Sequence, residues 1–133
     1  MSRLLVDTGP LVALLNRGDP DHERCAEYLK HERAQLLTTW PVITEAMYLL
    51  RRSVVARGAI LTMIQAEELE PADILALVER IAALIDKYED LPMDFADATL
   101  VAVAEQERLD TVFTLDDDFQ IYRVRRQALR MVP

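Results

Sequence analysis

Short apolar runs alternate with longer helix-like stretches along this chain, and this alternation restricts the folds that it can adopt. Residues 4–6, 36–38 and 111–113 have the length and composition of buried strands, and each run is followed by a stretch with helical spacing. Strands that alternate with helices pair in parallel, because each crossover helix returns the chain to the same edge of the sheet. The sequence therefore predicts an α/β fold with a central parallel sheet and helices on both faces.

The predicted elements cover most of the chain. Asp21 is the expected N-cap of the second helix, Pro41 opens the third, Pro92 interrupts the chain, and Asp94 caps the sixth. A further short helix is expected after Asp118. The predicted helices are residues 11–15, 21–31, 41–52, 59–66, 73–88 and 94–107, and the predicted strands are 4–6, 36–38, a short one at 69, 111–113 and 128–132.

Length and composition predict one globular domain spanning residues 1–133. A chain of 133 residues buries roughly two-thirds of its unfolded surface, and it contains no repeat or linker that would divide it. The single cysteine, Cys25, excludes an internal disulfide and fits a reducing compartment. No stretch approaches the ~20 apolar residues of a membrane span, and the N-terminus lacks the order of a signal peptide. We therefore expect a cytoplasmic protein.

The charge balance is acidic, but the basic residues are clustered. A net charge of -8 argues against a general nucleic-acid binder, which normally presents a basic surface. Thirteen of the fifteen basic residues are arginines. Two interpretations of the clusters remain open, namely ordinary solvated faces and phosphate contacts. The clusters are Arg51, Arg52 and Arg57, and Arg123, Arg125, Arg126 and Arg130.

Carboxylates stand at the ends or on the inner faces of the apolar segments. Asp7 follows the first predicted strand and Asp116 follows the strand 111–113, so both point to the carboxyl edge of the sheet, where ligands bind in such folds. Two like charges about 4 Å apart repel by roughly 1 to 4 kcal/mol. A site that gathers several acids therefore requires a divalent cation or raised pKa values. Oxygen ligands without histidine or cysteine suit Mg²⁺.

Each acid also has a structural interpretation. Asp7 could simply occupy a turn or cap a helix, and Asp94 with Asp97 resembles a capping box. Asp97 is explained less well by capping, because its neighbours up the helix are apolar. Glu45 has no basic residue three or four positions away, which argues against a solvated surface position. The run 116–118 divides naturally into one cap, one exposed acid and one ligand, with Asp116 as the ligand.

The remaining reactive side chains narrow the chemistry. Neither serine lies in a nucleophile motif, and the glycines form neither a dinucleotide fingerprint nor a P-loop. The histidines and Cys25 are expected on helix faces away from the acids. Trp40 and the tyrosines either stack on bases or pack in the core, with packing favoured. The serines, histidines and tyrosines in question are Ser2, Ser53, His22, His31, Tyr28, Tyr48, Tyr88 and Tyr122.

Four segments of the chain resemble, in order, the four motifs of the PIN-domain family. They are residues 4–14 (LLVDTGPLVAL), 44–46 (TEA), 95–102 (FADATLVA) and 114–119 (TLDDDF). Each motif is short, but the four together cover essentially the whole chain with family-like spacing. Single-domain PIN proteins of this size resemble the VapC toxins of bacterial type II toxin–antitoxin pairs.

The resemblance implies a fold, an activity and a set of site residues. The fold would be a three-layer α/β/α sandwich with a central parallel sheet. The activity would be Mg²⁺- or Mn²⁺-dependent endoribonuclease cleavage of RNA. The protein would form a homodimer and bind an inhibitory antitoxin. The catalytic and metal-binding residues would be Asp7, Glu45, Asp97 and Asp116, and the auxiliary residues would be Asp94, Asp118, Thr8 and Thr114.

Two other functions are compatible with the same residues. A phosphotransferase or phosphatase acting through an aspartyl phosphate also places an Asp after a strand, but it generally needs a lysine at the site. The two lysines, Lys30 and Lys87, do not lie at predicted strand ends. A catalytically silent PIN-like binding module is the second alternative, and the presence of all four acids argues against it.

Overall fold

The computed structural model describes residues 2–91 and 93–133, and within these ranges the chain forms seven strands and six α-helices. The strands are β1 (Ser2–Val6), β2 (Ala34–Thr39), β3 (Leu69–Ala72), β4 (Thr111–Phe113), β5 (Arg123–Val124), β6 (Gln127–Ala128) and β7 (Arg130–Val132). The helices are α1 (Thr8–Leu15), α2 (His22–His31), α3 (Trp40–Leu49), α4 (Val54–Gln65), α5 (Val78–Lys87) and α6 (Phe95–Glu107). The interruption predicted at Pro92 lies outside the described residues.

A parallel sheet organises the described part of the chain. Its five strands run in the order β3-β2-β1-β4-β7, and every neighbouring pair is parallel. The central strand β1 pairs with β2 and β4, and its residues Leu5 and Val6 are fully buried. A strand buried on both faces is apolar without alternation, as the sequence of β1 is. With helices flanking this sheet, the predicted α/β sandwich is confirmed.

Helix α6 lies in the centre of the core. Its residues from Ala96 to Ala104 are all buried, which explains the charge-free sequence that follows Asp97. A helix that is apolar all round is a buried one. Because the first turn of α6 carries Asp97 into this interior, the carboxylate is removed from bulk water.

The boundary between α3 and α4 differs from the prediction. Helix α3 ends at Leu49 rather than near Arg52, and α4 begins at Val54 rather than at Ala59. The peptide N–H of Ser53 donates to the carbonyl of Leu50, and the Ser53 hydroxyl accepts from Ala56 at 3.0 Å. A serine that caps a following helix in this way ends one helix and starts the next.

The long helix predicted over 73–88 is divided. A 3-10 turn at Leu75–Leu77 precedes α5, which begins only at Val78. The carboxylate of Asp73 accepts the peptide N–H of Leu75 at 3.0 Å, and this local hydrogen bond replaces the first turn of an α-helix. From Val78 onwards the predicted helix is confirmed, and α5 ends at Lys87.

The C-terminal strand predicted over 128–132 is two strands in different sheets. Strand β7 joins the main sheet beside β4, whereas β6 forms an antiparallel hairpin with β5. Arg125 and Arg126 form the hairpin turn with φ angles of 53° and 70°. Such turns usually carry Asn or Gly, so a pair of arginines gave no turn signal.

The short helix expected after Asp118 is a 3-10 turn that begins one residue earlier, at Asp117, with Asp116 as its N-cap. None of the helices in residues 2–91 and 93–133 is long and apolar enough to cross a membrane.

Candidate active site

Two neighbouring strands bring Asp7 and Thr114 together at the carboxyl edge of the sheet. Val6 of β1 is in register with Phe113 of β4, and the peptide N–H of Asp7 donates to the Phe113 carbonyl at 2.9 Å. The next residue of each strand therefore lies at the same edge. Thr114 Oγ1 donates to Asp7 Oδ2 at 2.8 Å.

Asp116 is attached to this pair through the same threonine. Its peptide N–H donates to Thr114 Oγ1 at 3.0 Å, and its carboxylate Oδ1 accepts the peptide N–H of Asp118 at 2.9 Å. Asp116 is half-buried and Asp117 is exposed. The expected division of the run into a cap, an exposed acid and a ligand is therefore modified, since the proposed ligand Asp116 is itself the cap.

Asp97 enters the site from the first turn of α6. Asp94 caps this helix by accepting the peptide N–H of Asp97 at 2.8 Å, which confirms its predicted capping role. The side chain of Asp97 is only 6% exposed. Tyr122, which is fully buried, donates its hydroxyl proton to Asp97 Oδ2 at 2.9 Å. Asp97 is thus held in place by a residue from the segment that follows the 3-10 turn at Asp117–Gln120.

Burial and repulsion by neighbouring acids raise the pKa values of the two interior acids, Asp7 and Asp97. Desolvation is the largest cause of the rise in the pKa of Asp7 to about 6, followed in the same direction by the charges of Asp116 and Glu45. Hydrogen bonds from the Thr114 hydroxyl and the Thr8 backbone oppose that rise by stabilising the ionised form. Asp7 is therefore electrostatically coupled to two acids from other elements.

The pKa of Asp97 rises to about 7, again chiefly through desolvation. Repulsion by Asp94 is the next cause, and the charges of Asp7 and Asp116 add to it, while the hydrogen bond from Tyr122 lowers the pKa. Asp116 raises the pKa of both Asp7 and Asp97, and Asp7 also raises that of Asp97, so the structure brings these three predicted residues together as one acidic cluster. The pKa of Asp118 is also raised, by desolvation and then by Asp116.

Glu45 does not occupy the apolar face that the sequence predicted. It is exposed on α3, so the solvated position that the sequence disfavoured is the correct one. Its charge nevertheless contributes to the raised pKa of Asp7. Together with Asp94 it borders a groove of about 710 Å³ that is also lined by Trp40, Tyr48 and Phe95. Glu45 therefore lies at the rim of the cluster rather than within it.

Thr8 contacts Asp7 through its backbone rather than through its hydroxyl. Its backbone hydrogen bond to Asp7 lowers the pKa of that acid, but its hydroxyl is not among the carboxylate's donors. Thr8 Oγ1 is buried and, among the described residues, has no hydrogen-bond partner. Buried hydroxyls are normally satisfied, so this atom marks a position where a water or a ligand would complete the site.

The donor chemistry of the cluster fits a hard divalent cation. All of its candidate ligands are carboxylate oxygens, which Mg²⁺ and Mn²⁺ prefer, and a cation would offset the repulsion that raises the pKa values of Asp7 and Asp97. Each carboxylate has about four acceptor positions, so Thr114 and Tyr122 orient the acids without saturating them. As placed, no three Asp, Glu, His or Cys side chains in the described ranges form a group that could hold a metal ion. To hold a cation together, these carboxylates would therefore have to come closer to one another.

Tyr122 is the site residue that sequence reasoning missed. The sequence predicts only base stacking or packing for this tyrosine, whereas its hydroxyl donates a hydrogen bond to Asp97, 25 positions away. No local sequence pattern predicts this contact, because it depends on how the segment after the 3-10 turn at Asp117–Gln120 packs against α6. The histidines lie elsewhere as expected, since His22 contacts the Ala13 carbonyl and His31 contacts Glu27.

Comparison with known proteins agrees with this architecture. The family model described as PIN domain matches residues 4–125. The chain therefore belongs to the PIN-domain family, and the resemblance inferred from its four motifs is confirmed.

Individual relatives extend the comparison. The chain is 31% identical over 116 residues to Ribonuclease VapC26 of Mycobacterium tuberculosis (strain ATCC 25618 / H37Rv). This alignment covers 85% of this chain and 86% of VapC26. The crystal structure of Mycobacterium tuberculosis VapC20, described as a sarcin–ricin loop cleaving toxin, superposes with a TM-score of 0.82 at 22% identity over 94% of this chain and 98% of that one. A toxin–antitoxin complex from Klebsiella pneumoniae contains a chain with a TM-score of 0.65 at 22% identity, covering 87% of this chain and 89% of that one. These two structures support the fold.

Proposed function

We propose that this protein is a Mg²⁺- or Mn²⁺-dependent endoribonuclease that hydrolyses RNA phosphodiester bonds, and that it is the toxin of a VapBC-type pair. Membership of the PIN-domain family and the 31% identity to a protein named a ribonuclease support this activity. The observation that carries the proposal is the meeting of Asp7 and Asp97 at the carboxyl edge of the sheet. Both acids are buried, and the charge of Asp7 raises the pKa of Asp97, as expected of carboxylates close enough to share a cation.

Asp7, Asp97 and Asp116 are the proposed ligands of the cation, with Glu45 as a further ligand or as the base that orients the attacking water. When bound, a divalent cation neutralises the charge of the scissile phosphate and makes water a better nucleophile at neutral pH. The reaction would be an in-line attack by water, and no covalent enzyme intermediate is needed.

The chain's own hydrogen bonds prepare this arrangement. Thr114 and Tyr122 donate to Asp7 and Asp97, favouring the ionised carboxylates and fixing their orientation. Asp94 adds negative charge beside Asp97 and caps its helix, while Asp118 is held by its peptide N–H against Asp116. We assign Asp94, Asp118 and Thr8 auxiliary roles, in which they orient water or ligands around the four principal acids.

We further propose that the protein forms a homodimer and binds a cognate antitoxin. Val54 and Val55 at the start of α4 are 76% and 84% exposed, and Leu75 is 80% exposed. Large apolar side chains that are this exposed favour association with another surface. The fold similarity to a chain of a toxin–antitoxin complex is consistent with such a partner.

The activity is tested with Asp7→Asn and Asp97→Asn, each of which keeps the size of the side chain and removes its charge. Both variants should lose at least a hundredfold in Mg²⁺-dependent cleavage of structured RNA, and wild-type cleavage should stop in EDTA. Asp86→Asn is the matched control, because Asp86 is an exposed acid on α5. Circular dichroism should show the same fold in all variants.

Cleavage that persists in EDTA, or in either site variant, would overturn the proposal. Two other results would favour the alternative functions. A phosphorylated Asp7 detected by mass spectrometry after treatment with acetyl phosphate would indicate a phosphotransferase. RNA binding of full strength without cleavage under any metal condition would indicate a silent binding module.

A further inference from the structure

A cavity of about 750 Å³ lies between α5, α6 and the β5–β6 hairpin, away from the acidic cluster. Five of its lining residues are cations, whereas Glu105 is the single acid among them. This concentration of positive charge is unexpected on a protein of net charge -8. We call it the arginine cavity, defined by Arg80, Lys87, Arg123, Arg125 and Arg126.

Only one of these cations is neutralised by an acid of the described residues. Arg80 donates to both carboxylate oxygens of Glu105, with Nε–Oε2 and Nη2–Oε1 distances of 2.8 and 2.9 Å. Lys87 lies over the ring of Tyr88, with its Nζ 5.1 Å from the ring centroid. The cavity therefore retains an excess of positive charge, and an anionic ligand is the chemistry that would balance it.

Arg123 is already held in position. Its Nη1 donates to the backbone carbonyls of Gln120, Ile121 and Tyr122 at 2.6, 3.1 and 3.1 Å. A guanidinium carries five N–H donors, so its other nitrogens are still able to contact a phosphate. Because its orientation is fixed before any ligand arrives, less conformational entropy is lost on binding.

The hairpin turn places two more arginines at the cavity. Arg125 and Arg126 both adopt positive φ angles, 53° and 70°, in which any side chain is less favourable than glycine. Backbone strain of this kind is often found at functional sites. Here two arginines that line the arginine cavity occupy this turn, where an Asn-Gly turn would be easier to form.

We propose that the arginine cavity binds the phosphate backbone of the RNA on which the acidic cluster acts. This proposal rests on the proposed function for the identity of the ligand. Guanidinium groups bind phosphates through paired hydrogen bonds. The apolar lining of the cavity is limited to Leu77 and Ala102, whereas a bound protein segment needs buried apolar anchors.

The position of the cavity relative to the acids suits one continuous strand. Asp97 and Glu105 lie on the same helix α6, eight residues or about 12 Å apart along its axis. Arg123 also directly follows Tyr122, the hydrogen-bond donor to Asp97. An acidic cluster repels RNA until it holds a cation, so a separate basic contact would retain the substrate without taking part in the chemistry.

The test removes the charge of the hairpin and keeps its geometry. The double variant Arg125→Asn/Arg126→Gly introduces a sequence that suits this two-residue turn. Its affinity for a fluorescein-labelled single-stranded oligoribonucleotide is measured by fluorescence anisotropy in EDTA, at several salt concentrations. We expect at least a tenfold weaker Kd, and a log Kd against log salt slope that is smaller by about 1.4, as for two lost phosphate contacts on a single strand.

Arg51→Gln/Arg52→Gln is the matched control, since it removes the same charge from the other arginine cluster. Its Kd should stay within twofold of the wild-type value. An equal loss in both variants would show diffuse attraction, and an unchanged Kd in the hairpin variant would show no contact; either result overturns the proposal. So would normal RNA binding combined with lost binding of a glutamate-rich peptide, which would assign the cavity to a protein partner.

The hairpin variant should unfold at the wild-type temperature or above it, because its turn is less strained. Since binding is measured without divalent cations, its outcome does not depend on cleavage. Failure of the proposed nuclease activity would appear only in the metal-dependent assays.

Discussion

Thr114 Oγ1 donates a hydrogen bond of 2.8 Å to Asp7 Oδ2, although the two residues are 107 positions apart in the sequence. The contact exists because β1 and β4 are adjacent and in register at Val6 and Phe113. It favours the ionised form of a carboxylate whose pKa is raised to about 6 by burial. Four experiments examine how such contacts control the acidic cluster.

Replacing Thr114 with valine should weaken the site at neutral pH and leave the fold intact. The variant Thr114→Val keeps the shape of the side chain but loses both the bond to Asp7 and the bond from Asp116. The pKa of Asp7 should rise further, so the pH–rate profile should move to higher pH and the apparent Mg²⁺ affinity should fall about 10- to 100-fold. Thr111→Val is the control, since Thr111 bonds only the exposed Asp110. An unshifted profile would show that Thr114 does not act on Asp7.

Removing the hydroxyl of Tyr122 should raise the pKa of Asp97 and weaken cation binding, because the hydrogen bond from Tyr122 lowers that pKa. In Tyr122→Phe the packing of the ring against Phe119 and Tyr88 is retained, while the 2.9 Å bond to Asp97 Oδ2 is lost. We expect the Mn²⁺ affinity, measured by calorimetry, to fall about 10- to 100-fold. Tyr28→Phe is the control, because the Tyr28 hydroxyl bonds Glu32, the residue after α2, and not an acid of the cluster. Equal affinities in the two variants would contradict a positioning role for Tyr122.

Substitutions of Asp94 separate helix capping from electrostatics. Asp94→Ala should lower the free energy of unfolding by about 1 kcal/mol, whereas Asp94→Ser should restore most of this loss, because serine also caps helices. Both variants remove the negative charge beside Asp97, so the pKa of Asp97 should fall in both. NMR titration of the carboxyl carbons measures this change.

Ser53→Ala provides the matched control for the cap, since it removes an equivalent bond to Ala56 at the start of α4. Ser53→Ala should lower the free energy of unfolding by a similar amount and leave the pKa of Asp97 unaltered. If Asp94→Ser cleaves RNA as well as the wild type, Asp94 is a cap alone and has no auxiliary role.

Stability without metal should fall as the pH rises from about 4 to about 7. Asp7 and Asp97 have pKa values near 6 and 7 in the folded protein, against an ordinary value of 3.8. Over this range the folded state binds more protons than the unfolded state, so the free energy of unfolding decreases with pH. For Asp7 taken alone the shift from 3.8 to about 6 corresponds to about 3 kcal/mol.

Urea denaturation in EDTA at several pH values measures this effect. Asp7→Asn and Asp97→Asn should each flatten the decrease, whereas Asp86→Asn should follow the wild type. A wild-type curve that rises between pH 4 and pH 7 to the same extent as both variants would show that the two acids are not destabilised by burial.

The sequence by itself determined the arrangement of the chain and most of the cluster. Uninterrupted apolar runs predict strands buried on both faces, and this pattern identified β1, β2 and β4 correctly. Because parallel strands end at a common edge, the positions of Asp7 and Asp116 followed from the strand ends alone. Asp97 followed from its place at the entry of an apolar helix.

Only the tertiary structure decided which contacts form around these acids. The exposure of Glu45, the hydroxyl bond from Tyr122 and the paired arginines of the hairpin turn each depend on packing between elements distant in sequence. The reason is physical: strand and helix patterns arise from neighbours a few residues apart, whereas desolvation and hydrogen bonding depend on whichever atoms the fold places nearby. The sequence thus specified which acids reach the edge of the sheet, and the packing decided their pKa values and their partners.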